Sequence, residues 1–226
     1  MIRRFDKYTY PEIVRDDSKS TRLYRTPDDF LVPSVTTILS KTKDMTFLVE
    51  WRKRVGVARA REITNQAASV GTSMHNFLES HIISKDREYV PSPTHSKAKK
   101  MADIIINKEL INVSEVWGSE VKLYYEDLYA GTTDLVGIYK DEPYIIDFKQ
   151  TNKPKKEEWV KDYYLQLAAY AHAHNHVTGS NIKNGIILMC SQDLELQTFE
   201  LTGDKFDDYS AQWFDRVEQY NELLIG

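Results

Sequence analysis

Among its 226 residues the chain has a single cysteine, Cys190. One thiol cannot assemble an iron–sulfur cluster or a cysteine-based zinc site, since each needs several. Cys190 lies within the apolar run Gly185 to Cys190, which reads as a buried residue in a reducing compartment. Runs of about 18 apolar residues are missing, so no membrane-spanning helix is expected. The start, Met1-Ile2-Arg3-Arg4-Phe5-Asp6, lacks an apolar signal region or a transit peptide, so a cytoplasmic protein of a bacterium or a phage-infected cell is expected. Internal repeats, low-complexity tracts and Gly/Ser linkers are absent as well. What remains is one domain, or one domain with a helical appendage, with 41% hydrophobic and 28% charged residues.

Positive charge is also in short supply, with a net charge of −4, but its distribution is uneven. Between Arg52 and Arg61 there are five bases and no acid, whereas Asp193 to Glu222 holds nine acids against Lys205 and Arg216. An acidic tail-end and a basic front fit a protein with one side facing nucleic acid, although solvated helix faces of different sign would look the same.

Residues 1–32 are rich in Tyr, Arg and Asp and read as a small hairpin or irregular arm with a polar turn at Asp16 to Ser20. Ser34 is placed to cap a helix starting at Val35. Helices are expected over 45–64, with Phe47, Leu48, Trp51 and Val55 on one side, and over 66–84, with Met74, Phe77, Leu78 and Ile82 as the apolar stripe. After a loop holding Pro91 and Pro93, a third helix is expected at about 95–110. The period then changes to two, giving strands at about 115–126, 130–140 and 143–150. A loop (Lys153 to Lys156), a helix over 157–176, strands over 184–190 and 194–201, and a helix over 204–224 complete an α/β sandwich with a mixed central sheet.

The chemistry concentrates in the middle. Asp134, in Gly131-Thr132-Thr133-Asp134, precedes Asp147-Phe148-Lys149 by thirteen residues. Folding the stretch as a hairpin centred near Asp141 sets Asp134 opposite Lys149, about one pair from Asp147. Asp147 and Lys149 share a strand face, while Phe148 points to a core. Two acids can hold a hard divalent cation, and a lysine beside them can orient or activate water, which is a minimal kit for cutting a phosphodiester. Read singly, Asp134 could be a turn residue, and Asp147 and Lys149 a structural ion pair. Glu120 joins the group if its strand neighbours that of Asp134. His75 sits on a helix, and Gln166 and Tyr170 are four apart on one helix face, placed to brace the lysine, the water or a phosphate. His172 and His176 also share a face, but at a helix end where solvation is the ordinary outcome.

These motifs, in order from Pro33-Ser34-Val35-Thr36-Thr37 through Gly71 to His75, Trp117 to Glu120, Gly131 to Asp134, Ile146 to Lys149 and Gln166 to Tyr170, resemble the PD-(D/E)xK nuclease superfamily. Within its RecB-like branch, the chain is similar to the family of mitochondrial genome maintenance exonucleases and their phage relatives. Thr133 stands where the superfamily name has proline. The resemblance implies a restriction-endonuclease-like α/β core, residues 113–226, behind an N-terminal arm and helical arch, residues 1–112, together one nuclease domain. It implies Mg²⁺ or Mn²⁺ on Asp134, Asp147, His75 and the Phe148 carbonyl, with Glu120 as an acidic helper. Lys149 would position or deprotonate water, and Gln166 and Tyr170 would orient the lysine and the DNA backbone. Ser34, Thr36, Thr37 and Lys153 would meet phosphates, and Trp51, Arg52 and Arg54 would line a single-strand passage. The expected activity is metal-dependent exonucleolytic hydrolysis of single-stranded DNA by a monomer, in replication, recombination or degradation. A non-catalytic DNA-end binder and a structure-specific or RNA endonuclease stay open as alternatives.

Overall fold

Strand pairing organises the chain around one mixed sheet. The computed structural model describes residues 3–4, 6–16, 22–83 and 96–225. Its strands are β1 (Arg3–Arg4), β2 (Val14–Asp16), β3 (Leu23–Arg25), β4 (Leu31–Pro33), β5 (Val113–Tyr125), β6 (Tyr129–Tyr139), β7 (Glu142–Thr151), β8 (Gly185–Ser191) and β9 (Leu196–Leu201). The helices are α1 (Val35–Lys41), α2 (Thr46–Val55), α3 (Val57–Ile83), α4 (Ser96–Lys108), α5 (Lys161–Thr178) and α6 (Gly203–Ile225). Among the described residues the main sheet runs β1-β5-β6-β7-β8-β9, with β1–β5 and β7–β8 parallel and the other pairs antiparallel. Helix α5 is the crossover between the parallel neighbours β7 and β8. Strand β8 is buried at every position, which explains its unbroken apolar run and the burial of Cys190. The arm is more ordered than a lone hairpin: β1 extends the main sheet, and β2-β3-β4 form a second, three-stranded sheet.

Two apolar layers cover the main sheet. On one face, residues of α1, α5 and α6, such as Ile38, Leu167 and Trp213, pack against Leu123, Val136 and Ile145. On the other, Met74, Phe77 and Leu78 of α3 and Met101 and Ile105 of α4 pack against Leu135, Ile146 and Phe148. The result is the expected α/β fold with a mixed central sheet flanked by helices.

Three expectations need correction. The first helix ends at Val55, not near residue 64, because Gly56 adopts φ 85, a conformation open to glycine. Thr64, which looked like a boundary, instead donates its hydroxyl to the Ala60 carbonyl at 2.9 Å within α3. The expected apolar side of α2 is not buried: no α2 residue is, and Phe47 is 75% exposed. The central hairpin also turns one residue earlier than expected. Tyr139 pairs with Glu142 across Lys140 and Asp141, whose φ values of 48 and 68 mark a two-residue turn of the I′ kind. Asp134 is therefore level with Asp147, not Lys149. The loop with Pro91 and Pro93, and most of the Asp16–Ser20 turn, lie outside the described residues.

Candidate active site

The site forms where two strands lose their regular pattern. Backbone pairing of β6 with β7 stops at Leu135↔Ile146, one step short of the two acids. Beyond it, a side chain replaces the ladder: Asp134 Oδ2 accepts the Phe148 N–H at 2.7 Å. Face alternation also slips along β6. Tyr129 belongs to the α5-side core, whereas Leu135 and Tyr139, also odd-numbered, belong to the α3-side core. Asp134 sits at this slip. Between the pairs Ser119↔Leu135 and Val121↔Thr133, it lies level with Glu120, whose φ is 52. An irregular backbone thus aims two carboxylates at one place.

Asp147 and Lys149 flank Phe148, which packs into the α3-side core as its parity requires. Asp147 is 1% exposed. Lys149 Nζ donates to Asp147 Oδ1 at 2.6 Å and touches Oδ2 at 2.5 Å, yet Oδ2 receives no hydrogen bond of good geometry among the described residues. Burial, seconded by Asp134, pushes the Asp147 carboxyl up to about 6 against the pull of Lys149. Burial alone would lower Lys149, but Asp147 and Asp134 outweigh it and hold its ammonium above the ordinary value.

Helix α3 brings His75 to the opposite rim. Its Nε2 is 2.9 Å from the Phe148 carbonyl, and its Nδ1 is 3.6 Å from Asp134 Oδ1. Both partners are acceptors. Glu120 reaches solvent, but its carboxyl is pushed up to about 7 by the desolvation of its crowded end, then by Asp134, Glu79 and Asp147. The sequence reading missed Glu79. It lies one turn after His75 on α3, and that spacing was the available signal.

Helix α5 closes the site. Gln166 Nε2 donates to the Tyr170 hydroxyl at 3.3 Å, both side chains being buried. The Tyr170 ring lies so close to β6 that a Cβ on Gly131 would sit 2.7 Å from Cε1, which explains the glycine of the Gly131-Thr132-Thr133-Asp134 motif. Burial first, then the charges of Asp147 and Asp134, hold the Tyr170 phenol above its ordinary value. Tyr163, also missed, stands 7 residues before Tyr170 and faces Lys149, whose Nζ is 5.1 Å from the ring centroid.

One ligand atom from each of His75, Glu120 and Asp134 lies within 4.8 Å of the others. The Phe148 carbonyl adjoins His75 at 2.9 Å, so the donor set is oxygen-rich with one imidazole, while Asp147 stands outside the trio with its carboxylate against the Lys149 ammonium. That composition fits a hard divalent cation such as Mg²⁺ or Mn²⁺.

The remaining candidates lie elsewhere. Ser34 caps α1: its Oγ accepts from Thr37 N at 3.0 Å and is 2.8 Å from Thr37 Oγ1. The Thr37 hydroxyl donates to the Arg22 carbonyl, so Thr36 is the exposed member of the three. Trp51 is half-buried on α2, with Arg52 and Arg54 exposed beside it. Lys153 is exposed on the loop after β7, its carbonyl accepting from Thr151 Oγ1. His172 packs among Tyr125, Phe206 and Phe214, and His176 against Tyr124 and Tyr125.

No family model matches the chain. Sequence comparison finds vertebrate relatives named mitochondrial genome maintenance exonuclease 1. The human protein is 29% identical over 204 residues, 85% of this chain and 59% of its own length. The Xenopus tropicalis protein is 27% identical over 205 residues, 84% of this chain and 58% of its own. The mouse protein is 28% identical over 205 residues, 84% and 59% respectively. The chain thus spans less than two thirds of the length of these relatives. Over most of its own length it resembles mitochondrial genome maintenance exonuclease 1.

Proposed function

We propose that the chain is a divalent-metal-dependent DNA exonuclease that hydrolyses phosphodiester bonds of single-stranded DNA from an end. The observation that carries the reading is the convergence of His75, Glu120 and Asp134 within 4.8 Å, beside a buried Asp147–Lys149 pair. The name shared by the vertebrate relatives supports the same chemistry.

In this reading His75, Asp134, Asp147 and the Phe148 carbonyl hold Mg²⁺ or Mn²⁺, with Glu120 alongside. The bound cation would supply Lewis acidity toward a phosphoryl oxygen and acidify a coordinated water. Lys149, held charged by the carboxylates, positions the attacking water and stabilises the charge gathering on the phosphoryl oxygens. Asp134 fixes the Phe148 carbonyl through its hydrogen bond to the same residue's N–H. Gln166 and Tyr170 form the wall behind the acids, and Gly131 lets that wall approach. Trp51, Arg52 and Arg54 offer stacking and charge to an unpaired strand, and Thr36 and Lys153 offer contacts to phosphates. The working form is a monomer acting on DNA in replication, recombination or degradation, in the cytoplasm of a bacterium or of a phage-infected cell. Among the described residues no helix is long and apolar enough to cross a membrane.

The test is an oligonucleotide labelled at either end, incubated with Mg²⁺, Mn²⁺ or EDTA, alongside Asp147→Ala and Lys149→Ala. Short products in the metal lanes only, lost in both variants, are expected, and the labelled end that disappears first gives the polarity. Intact substrate in every lane, with a gel shift, would replace the nuclease by a DNA-end binder. Internal cuts, or preference for a ribonucleotide strand, would replace the exonuclease by an endonuclease.

A further inference from the structure

Among the described residues Lys149 has one hydrogen-bond partner, the Asp147 carboxylate two positions earlier on β7. A lysine carries three donors on a flexible four-carbon stem, so one partner does not fix where its other two N–H groups point. Gln166 and Tyr170 bond to each other at 3.3 Å, and among the described residues neither bonds to the ammonium. What the ammonium does meet is an aromatic face. Lys149 Nζ lies over the Tyr163 ring, 5.1 Å from its centroid and inside the reach of about 6 Å for a cation–π contact.

Tyr163 reaches this place from the first turn of α5. Val160, fully buried, anchors that turn, and its carbonyl accepts the Tyr163 N–H at 2.9 Å. Positions 163, 166 and 170 then fall on one helical stripe, at spacings of three and four. One end of the stripe meets Lys149 of β7 and the other meets Gly131 of β6. The neighbouring Tyr164 is buried instead, and its hydroxyl donates to Glu157 at 3.0 Å. Tyr163 is half-buried, with its ring packed against the α5-side core. Among the described residues its hydroxyl makes no hydrogen bond, so the ring face is what the lysine contacts. The Lys149 side chain is 19% exposed, so water screens that contact only weakly.

We infer that Tyr163 is a positioning residue for Lys149, its ring face holding the ammonium beside Asp147 with two N–H groups left for the attacking water and the phosphoryl oxygens. The inference rests on the nuclease reading and adds to it a residue that acts through the lysine and not on the substrate. An ion pair alone would serve the lysine poorly. A carboxylate two residues away on one strand face draws the ammonium toward itself, and each N–H it takes is lost to the phosphate. An aromatic face competes for the charge without taking a directed hydrogen bond.

The experiment measures kcat and KM for Mn²⁺-supported cleavage of a fluorescein-labelled single-stranded oligonucleotide, together with its affinity in EDTA. Tyr163→Leu removes the ring and should lower kcat about 3- to 30-fold, with KM and the EDTA affinity within about twofold of wild type. Tyr163→Phe keeps the ring and should restore most of kcat. Phenylalanines with one, two or three ring fluorines at position 163 keep the ring's shape but drain its negative face. Log kcat should fall stepwise along that series, which a purely structural role would leave flat. If Tyr163→Leu melts below the assay temperature, the fluorine series decides alone. If the wild type cuts and the series is flat, or Tyr163→Phe is as slow as Tyr163→Leu, the ring contact is overturned and the nuclease reading stands. If the wild type does not cut, both fail together.

Discussion

Gly131→Ala tests whether the close approach of α5 to β6 builds the site. The added Cβ would meet Tyr170 Cε1 at 2.7 Å and its hydroxyl at 3.1 Å, far inside the 3.5–4.0 Å or so at which carbon atoms attract. Tyr170 is 3% exposed and tied to Gln166, so its ring has no solvent to retreat into. Overpacking of this kind costs about 1–3 kcal/mol. Replacing a strand glycine by alanine returns about 0.5–1 kcal/mol. The net loss is then up to about 2.5 kcal/mol, or a fall in Tm of up to about 10 °C for a chain of this size. In a Tyr170→Leu background the obstacle is gone, and the same substitution should become neutral or stabilising. The cycle should yield a coupling energy of about 1–3 kcal/mol from melts of the four proteins. Additive effects would refute the packing argument, and with it the account of why that motif begins with glycine.

Asp134→Asn keeps an acceptor for the Phe148 N–H but removes one of four crowded carboxylates. Metal-free stability should hold or rise, while Mn²⁺ affinity by titration calorimetry falls at least tenfold. Wild-type Tm should rise with Mn²⁺ concentration, as linkage requires, and the Asp134→Asn curve should be displaced to at least about tenfold higher concentration. His174, fully buried between Tyr10 and Ser180, is lowered to about 4 by burial and by Lys7. Its folded value lies below its unfolded one, so its contribution is complete above about 6.5 and is lost as pH falls toward 4. Urea denaturation should show a loss on the order of 2–3 kcal/mol across that window, absent in His174→Gln. Because α2 buries no residue, Arg52→Ala and Arg54→Ala should change stability by less than about 0.5 kcal/mol while weakening oligonucleotide binding at low salt.

The sheet was legible because β5, β6 and β7 alternate or run apolar over long stretches, and the turn residues between them are polar. The acids were legible because a carboxylate between Ile146 and Phe148 demands a partner. Other features were not. Helix α2 looked amphipathic, but periodicity reports a stripe and not whether anything covers it. The exact register was hidden because Lys140 and Asp141 both adopt positive φ, which neither residue advertises as Asn-Gly would. Glu79 and Tyr163 went unseen because their roles depend on α3 and α5 meeting the sheet at one place, a tertiary fact that local spacing only permits.

The two-residue turn at Lys140 and Asp141 lies at the far end of the hairpin from Asp134 and Asp147, and touches neither. It nevertheless works as an address label for both. Insert one residue there, and the strands can keep pairing only by sliding, which would send one acid to the opposite side of the sheet. An enzyme could thus be silenced through a surface loop with every chemical group intact, and a scan of substitutions confined to the site would never find the cause.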